Sequence, residues 1–426
     1  MRCLSDGGAL GRGWAGMKRR LIAVTAVLLV LAGCAGHTAS GGPGSPAVSS
    51  SSGGSGPAVR TASASVSGPW RAWTASLSSR EAHGSCGATA HQVVCATDSG
   101  GLVGRSRADG RVTWAVPADD RGRSAGLVVD AADERAVTAV AGVLRAANLR
   151  TGARAWTHRS PTGGAYVTLG AADGVVHALV RADTTSRTGV LEAVRASDGT
   201  PLWHRTVAWS TGEPVAAFRG RVYTADGTRV TARDARTGKT LATGPTGVTC
   251  PHLVTGGHYL VCTGSPLSAG DTFPPMRRLD PATLKPLPTP RNTIDMPVRG
   301  VISDDGVLVL YEAGAEDTSA GNWFAYDLEH DRRLWSTYAT EADATVTAGR
   351  FVTFTPGNDS ATRGRVLTLD LHAGPRGTGS AAPRMSPVYA QARDGEHPVL
   401  VAPGGDTGHI LVMARTHGSL RSLPLP

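Results

Sequence analysis

The chain has 426 residues, of which 55 are glycine and 26 proline; 18% are charged, 41% hydrophobic and 5% aromatic. That balance excludes a collagen, a long coiled coil, a polytopic membrane protein and a wholly disordered chain, and it suits many short strands joined by turns. The formal charge is +9, but residues 1–33 hold five basic side chains against one acid, so from Cys34 onward 38 basic residues face 33 acidic ones; outside Lys18-Arg19-Arg20 there is no basic run, and nucleic-acid binding has no footprint.

Met17-Lys18-Arg19-Arg20 opens a basic segment, and Leu21 to Leu31 is an apolar run of 11 residues. A membrane-spanning helix needs about 20, so the run reads as a secretory signal. Leu31-Ala32-Gly33-Cys34 follows directly and resembles the lipobox of bacterial lipoproteins. The resemblance implies a signal peptide over residues 1–33, with Met17 as the true start, and a mature chain that begins at a lipid-modified Cys34. Residues 34–68 are almost all Ala, Gly, Ser, Pro, Thr and Val, with a serine run at Ser49–Ser52. Nothing there can be buried, so a disordered linker is expected. Its root-mean-square reach is about 30 Å. A diacylated thioether supplies two chains, enough for stable anchoring. The partner expected on this side is therefore the membrane, reached through Cys34 from the extracytoplasmic face.

Residues 69–426 repeat. The clearest units are Ala146–Trp156, Ala193–Trp203 and Ala232–Ala242, each with a Thr-Gly or Asp-Gly step and, in the first two, a tryptophan four residues later. Weaker copies end at Trp114 and Trp335 or surround Gly374, and degenerate ones lie at Asp280–Leu284 and Ala414–Gly418. The marker position falls at 110, 152, 199, 238, 284, 331, 374 and 418, a mean spacing of about 44. Each unit holds short apolar runs about a tight turn such as Ala172-Asp173-Gly174 or Asp304-Asp305-Gly306, for example Val175–Val180, Val307–Leu310 and Phe351–Phe354. Two strands about an Asp-Gly turn read as a hairpin. Four strands per unit, eight times over, predict an all-β, eight-bladed β-propeller with four-stranded blades, seven blades being the alternative. The marker glycine supplies a positive φ between the third and outer strands, and the tryptophan packs between blades. Trp70 and Trp73 resemble a marker and outer strand with no blade before them, so residues 69–78 are expected to supply the outer strand of the last blade.

The pattern resembles the tryptophan-docking repeat, Ala-x-Asp-x-x-Thr-Gly-Lys-x-x-Trp, of the quinoprotein-like β-propellers. Asn148 and Arg195 depart from it at the Asp position, and Ala242 at the Trp position. The resemblance implies the propeller fold. Known members include quinone-dependent alcohol dehydrogenases and the propeller lipoprotein of the outer-membrane assembly machine, so it leaves function open.

Cys86/Cys95 and Cys250/Cys262 bracket corresponding hairpins of the first and fifth units. In an exported chain the repeated placement predicts two local disulfides; the alternative is zinc held by Cys250, His252, His258 and Cys262. The resemblance implies that quinone-dependent enzymes carry a vicinal Cys-Cys disulfide, an Asp base and calcium. No Cys-Cys step occurs here, no catalytic residue is nominated, and neither cofactor nor metal is expected. The reading is a monomeric, non-enzymatic binding or scaffold module for an envelope protein or a cell-surface polymer; the alternative is a quinone-dependent dehydrogenase using the central funnel. The longer segments Thr263–Arg278 and Tyr311–Asn322, the second with Glu312, Glu316 and Asp317, are the candidate recognition loops.

Overall fold

In a computed structural model, each repeat folds into an antiparallel sheet whose strands follow one another in chain order from the inside of a ring outward. The structure describes residues 70–118, 122–181, 188–208, 215–247, 250–263, 276–290, 297–313, 321–339, 343–355, 364–387, 398–401, 408–415 and 418–426. The expected signal sequence, Cys34 and the expected linker lie outside them. Eight sheets result. Blade 1 holds Ser85–Ala88, Gln92–Ala96, Leu102–Ser106 and Val112–Val116. Blades 2, 3, 4, 6 and 7 follow the same four-strand plan.

The tight turns have a local cause. Between the two inner strands of blade 3, Asp173 and Gly174 both take positive φ, 54° and 73°, as a type I′ hairpin turn requires. The second strands that follow are buried on both faces: Val175–Arg181 is covered at every position but the last. Alternate side chains serve opposite neighbours, so Val175 and Leu179 pack toward blade 4 while Val176, Ala178 and Val180 pack toward blade 2. Among the described residues the core accordingly divides into eight clusters, one at each junction between blades. A strand covered on both sides cannot alternate with polar residues, which is why these runs read as continuous hydrophobic stretches.

Two blades depart from the expected plan. Blade 5 has three strands, and its fourth is reduced to one bridge between Leu279 and Pro286. Pro286, Pro288 and Pro290 have no N–H to give a ladder. Blade 8 is assembled from both ends of the domain. Pro398–Val401, His409–Ala414 and Ser419–Pro424 form its three inner strands, and Trp73–Ser76 pairs with the last of them, Trp73 opposite Ser422 and Ser76 opposite Ser419. The N-terminal segment thus supplies the outer strand of the last blade. The marker series needs one correction. Gly418 lies between the second and third strands of blade 8, not between the third and outer strands. The third and outer strands of blade 8 come from opposite ends of the domain, so no marker turn joins them, and Leu425–Pro426 and Trp70 flank the position where it would lie.

Candidate functional site

The repeat signature is spent on holding blades together. Trp114, Trp156, Trp203 and Trp335 on outer strands each donate an indole N–H to a carbonyl at the next blade's marker turn: Leu149 O at 2.9 Å, Ala196 O at 2.8 Å, Ala235 O at 2.9 Å and Leu371 O at 2.8 Å. Trp73 does the same from blade 8 to Arg107 O of blade 1, at 2.7 Å. The marker glycine three residues further on lies flat against that indole. A Cβ at Gly199 would sit 2.6 Å from the Trp156 ring, and φ there is 73°. Upstream, the Asp position caps the turn: Asp234 Oδ1 accepts the N–H groups of Arg236 and Thr237 and the Thr237 hydroxyl. The hydrogen bonds from Thr237 hold the Asp234 carboxyl below its usual value. Asn148 does the same work with its amide oxygen. Arg195 does not; Asp198 caps there instead, accepting from Thr200 N–H at 2.9 Å.

Where the sequence lacks the tryptophan, other side chains take its role. At the junction of blades 4 and 5 the equivalent carbonyl, Pro281 O, accepts from the Tyr223 hydroxyl at 2.9 Å. Ala242 stands where the indole would be, and Leu284, fully buried, fills the space against it in place of glycine. Between blades 5 and 6 the guanidinium of Arg278 donates to Leu328 O and lies 5.1 Å above the Tyr259 ring. The Tyr259 hydroxyl donates to Glu329 at 2.7 Å, and burial together with that carboxylate raises its pKa to about 12.

Strand direction sorts the connections onto two faces. Turns joining the inner to the second strand and the third to the outer strand share one face with the markers. This marker face is compact, built from turns as short as Asp173-Gly174 and Ala348-Gly349. The opposite face carries the connections from second to third strands and from blade to blade. Both predicted recognition segments leave from it: Thr263 ends one strand and Arg277 opens the next, and Ala313 and Gly321 flank the other segment. Their centres, 264–275 and 314–320, with Glu316 and Asp317, lie outside the described residues.

On this loop face, where blades 1 and 2 meet, a cavity of about 310 Å³ is lined by His83, Thr97, Asp98, Arg123 and Ser124, among others. Its walls come from the segment His83–Ser85 that follows the one-turn helix Ser79–Ala82, the second-to-third turn of blade 1 and the entry to blade 2. Ser124 N–H to Asp98 O at 2.6 Å and Asp98 N–H to Arg80 O at 3.0 Å fix the backbone. Among the described residues no group bonds the side chains of His83, Asp98 or Arg123, so an imidazole, a carboxylate and a guanidinium are free to meet a polar partner. Sequence reasoning missed this cavity because its residues come from three separate connections. The helix beneath it had a sequence signal: Ser78 and Glu81 form a reciprocal capping box, with Ser78 N–H to Glu81 Oε2 at 2.9 Å.

The cysteines are bonded in two local pairs. Cys86 and Cys95 face each other across the inner strands of blade 1, and Cys250, just before blade 5, joins Cys262 on its second strand. Both thiols of the zinc alternative are thereby occupied, and no bond joins adjacent cysteines. Among the described residues no group of three or more His, Cys, Asp or Glu side chains is placed to hold a metal ion.

Residues 69–261 match the family model described as outer membrane protein assembly factor BamB. Among solved structures, BamB from Moraxella catarrhalis is 13% identical with a TM-score of 0.55, over 83% of this chain and 98% of that one. The quinohemoprotein alcohol dehydrogenase ADHIIG from Pseudomonas putida HK5 is 13% identical with a TM-score of 0.52, over 83% and 76%. The computationally designed Ika8 protein is 14% identical with a TM-score of 0.58, over 82% and 98%. No curated protein sequence matches the chain. At these identities the likeness is one of fold, shared by an assembly factor, an enzyme and a designed protein. The chain therefore carries an eight-bladed β-propeller, of which residues 69–261 match that family model.

Proposed function

We propose that the protein is a membrane-tethered, extracytoplasmic lipoprotein whose propeller binds, without catalysis, an envelope protein or a cell-surface polymer. The observation that carries this reading is the match of residues 69–261 to a family described as an outer membrane protein assembly factor, since an assembly factor works by holding other molecules. Two features support it. The repeat's Asp, Gly and Trp residues are engaged within and between blades, which leaves recognition to the loops. The chain enters the ring at Trp70 on the marker face, while the polar cavity of His83, Asp98 and Arg123 opens on the loop face. Mass spectrometry of the mature protein is expected to find a diacylglyceryl group on Cys34; an unmodified Cys34 or an Ala35 N-terminus contradicts the anchor. The rival dehydrogenase reading is tested by adding pyrroloquinoline quinone and calcium to the purified protein. Neither stoichiometric quinone absorbance nor dye-linked alcohol oxidation is expected, and their joint appearance would refute the binding-module reading.

A further inference from the structure

The junction between blades 7 and 8 replaces the interblade indole with charge. In blades 1, 2, 3 and 6 the docking tryptophan pairs across the ladder with Gly104, Ala146, Ala193 and Ala325. Each of these lies two residues before the end of its third strand or, in blade 6, two before the capping Asp327. In blade 7 that position is Thr368, two before Asp370, and its partner is Arg384. The 3-10 turn Gly379–Ala381 lies in the excursion that delays the outer strand and brings Arg384 into this register. Where an indole would fill the junction, a cavity of about 460 Å³ remains, lined by Arg350, Arg384, Asp370, Ser380, Leu425 and Pro426, with the turn Ala348-Gly349.

The two guanidinium groups converge. Arg350 Nη1 and Arg384 Nη2 both donate to the carbonyl oxygen of Ser380, each at 3.3 Å. Arg350 is anchored further by Ala382 O at 2.8 Å and by Thr368. Among the described residues no carboxylate lies within ion-pair distance of either guanidinium. Asp370, in the lining, has Oδ1 committed to the N–H groups of His372 and Ala373, and the terminal carboxylate of Pro426, also in the lining, accepts from the Thr368 hydroxyl at 3.3 Å. Two like charges therefore share one neutral acceptor beside an open, polar cleft, an arrangement that an anion relieves.

We infer that this cleft is an oxyanion site that takes a phosphate group between Arg350 and Arg384. Planar guanidinium forks match tetrahedral oxyanions in paired hydrogen bonds, and Arg350 is held in place before any ligand arrives. The site lies on the marker face, and the same chemistry would serve a free phosphate compound or the headgroup of an anionic phospholipid.

The test is titration of the purified full-length protein with inorganic phosphate and with glycerol phosphate at constant ionic strength, chloride serving as control. Saturable binding is expected, weakened at least tenfold by Arg384→Gln and by Ser380→Asp, which places a carboxylate in the cleft from an exposed position. Unliganded thermal midpoints of the variants report whether they fold. Cosedimentation of the full-length Cys34→Ala protein, which has no acyl anchor of its own, with phosphatidylglycerol vesicles, against phosphatidylcholine vesicles, separates the sources. Retention on the former that Arg384→Gln removes assigns the headgroup; binding of the soluble compounds alone assigns free phosphate. Affinity unchanged in both folded variants, or phosphate binding no tighter than chloride, overturns the site.

Discussion

Gly199 shows how much one marker residue carries. Its φ of 73° costs an L-residue roughly 1–2 kcal/mol, and a Cβ there would also meet the Trp156 ring at 2.6 Å. Gly163 has φ of 69° with nothing within 4 Å of the added carbon. Gly163→Ala is therefore expected to cost about 1 kcal/mol and Gly199→Ala about 2–4 kcal/mol, measured by denaturant unfolding; equal losses would mean that the indole contact adds nothing. The tryptophan and glycine positions were legible in the sequence because they recur locally, four residues apart. Tyr223 and Arg278, which donate to the equivalent carbonyls at two junctions, were not, because they reach those carbonyls from other strands. A titration belongs to this scale too. His177 is buried in blade 3, its Nε2 against Ala235 O at 3.1 Å, and burial lowers its pKa to about 4. The unfolded chain takes up a proton below about pH 6.5 and the fold resists it. Stability is thus whole above pH 6.5 and falls between pH 6.5 and 4, by up to about 1.4 kcal/mol per pH unit. His177→Gln, which can keep the bond to Ala235 O, should flatten that part of the curve of Tm against pH; an unchanged slope would show that His177 is not its source.

At the scale of the element, the junction of blades 4 and 5 reverses the usual pairing of a large outer-strand residue with a small marker. Ala242 stands for the tryptophan and Leu284 for the glycine, the latter at φ of 59°. Ala242→Trp alone is expected to overpack and Leu284→Gly alone to open a cavity, each destabilising by about 2 kcal/mol or more. Together they rebuild the pairing seen at Trp203 and Gly238, so the double variant should recover at least about 1 kcal/mol of coupling; simple additivity would contradict the account. Sequence alone marked Ala242 as a departure from the repeat, but the compensation by Leu284 needed the packing. The same limit explains Gly418. Its spacing fits the series, yet the ring is closed by a strand from the other end of the domain, and a count along the chain cannot register that.

The whole molecule depends on this closure. Arg105 of blade 1 donates to Glu81 Oε1 at 2.7 Å, to Ser76 O at 3.1 Å and to Gly110 O at 3.2 Å, so one buried guanidinium ties the N-terminal strand, the short helix and the first marker turn. Burial favours the neutral acid at Glu81, but the bonds from Arg105 and Ser78 outweigh it and hold its pKa below the ordinary value. Arg105→Ala leaves that carboxylate buried and unpaired and should cost about 3–5 kcal/mol; a loss under 1 kcal/mol would show that the pair does not secure the ring. Closure at this point also places Trp70 on the marker face, opposite the cavity of His83, Asp98 and Arg123 on the loop face. The direct test of the proposed binding role is site-specific photocrosslinking in intact cells, with the crosslinker at His83 or Asp98 on the loop face and at Arg236 or His372 on the marker face. Adducts to an envelope protein or surface polymer are predicted from the loop-face positions only. Adducts confined to the marker face, or none from either face, would contradict a scaffold that works through its loops.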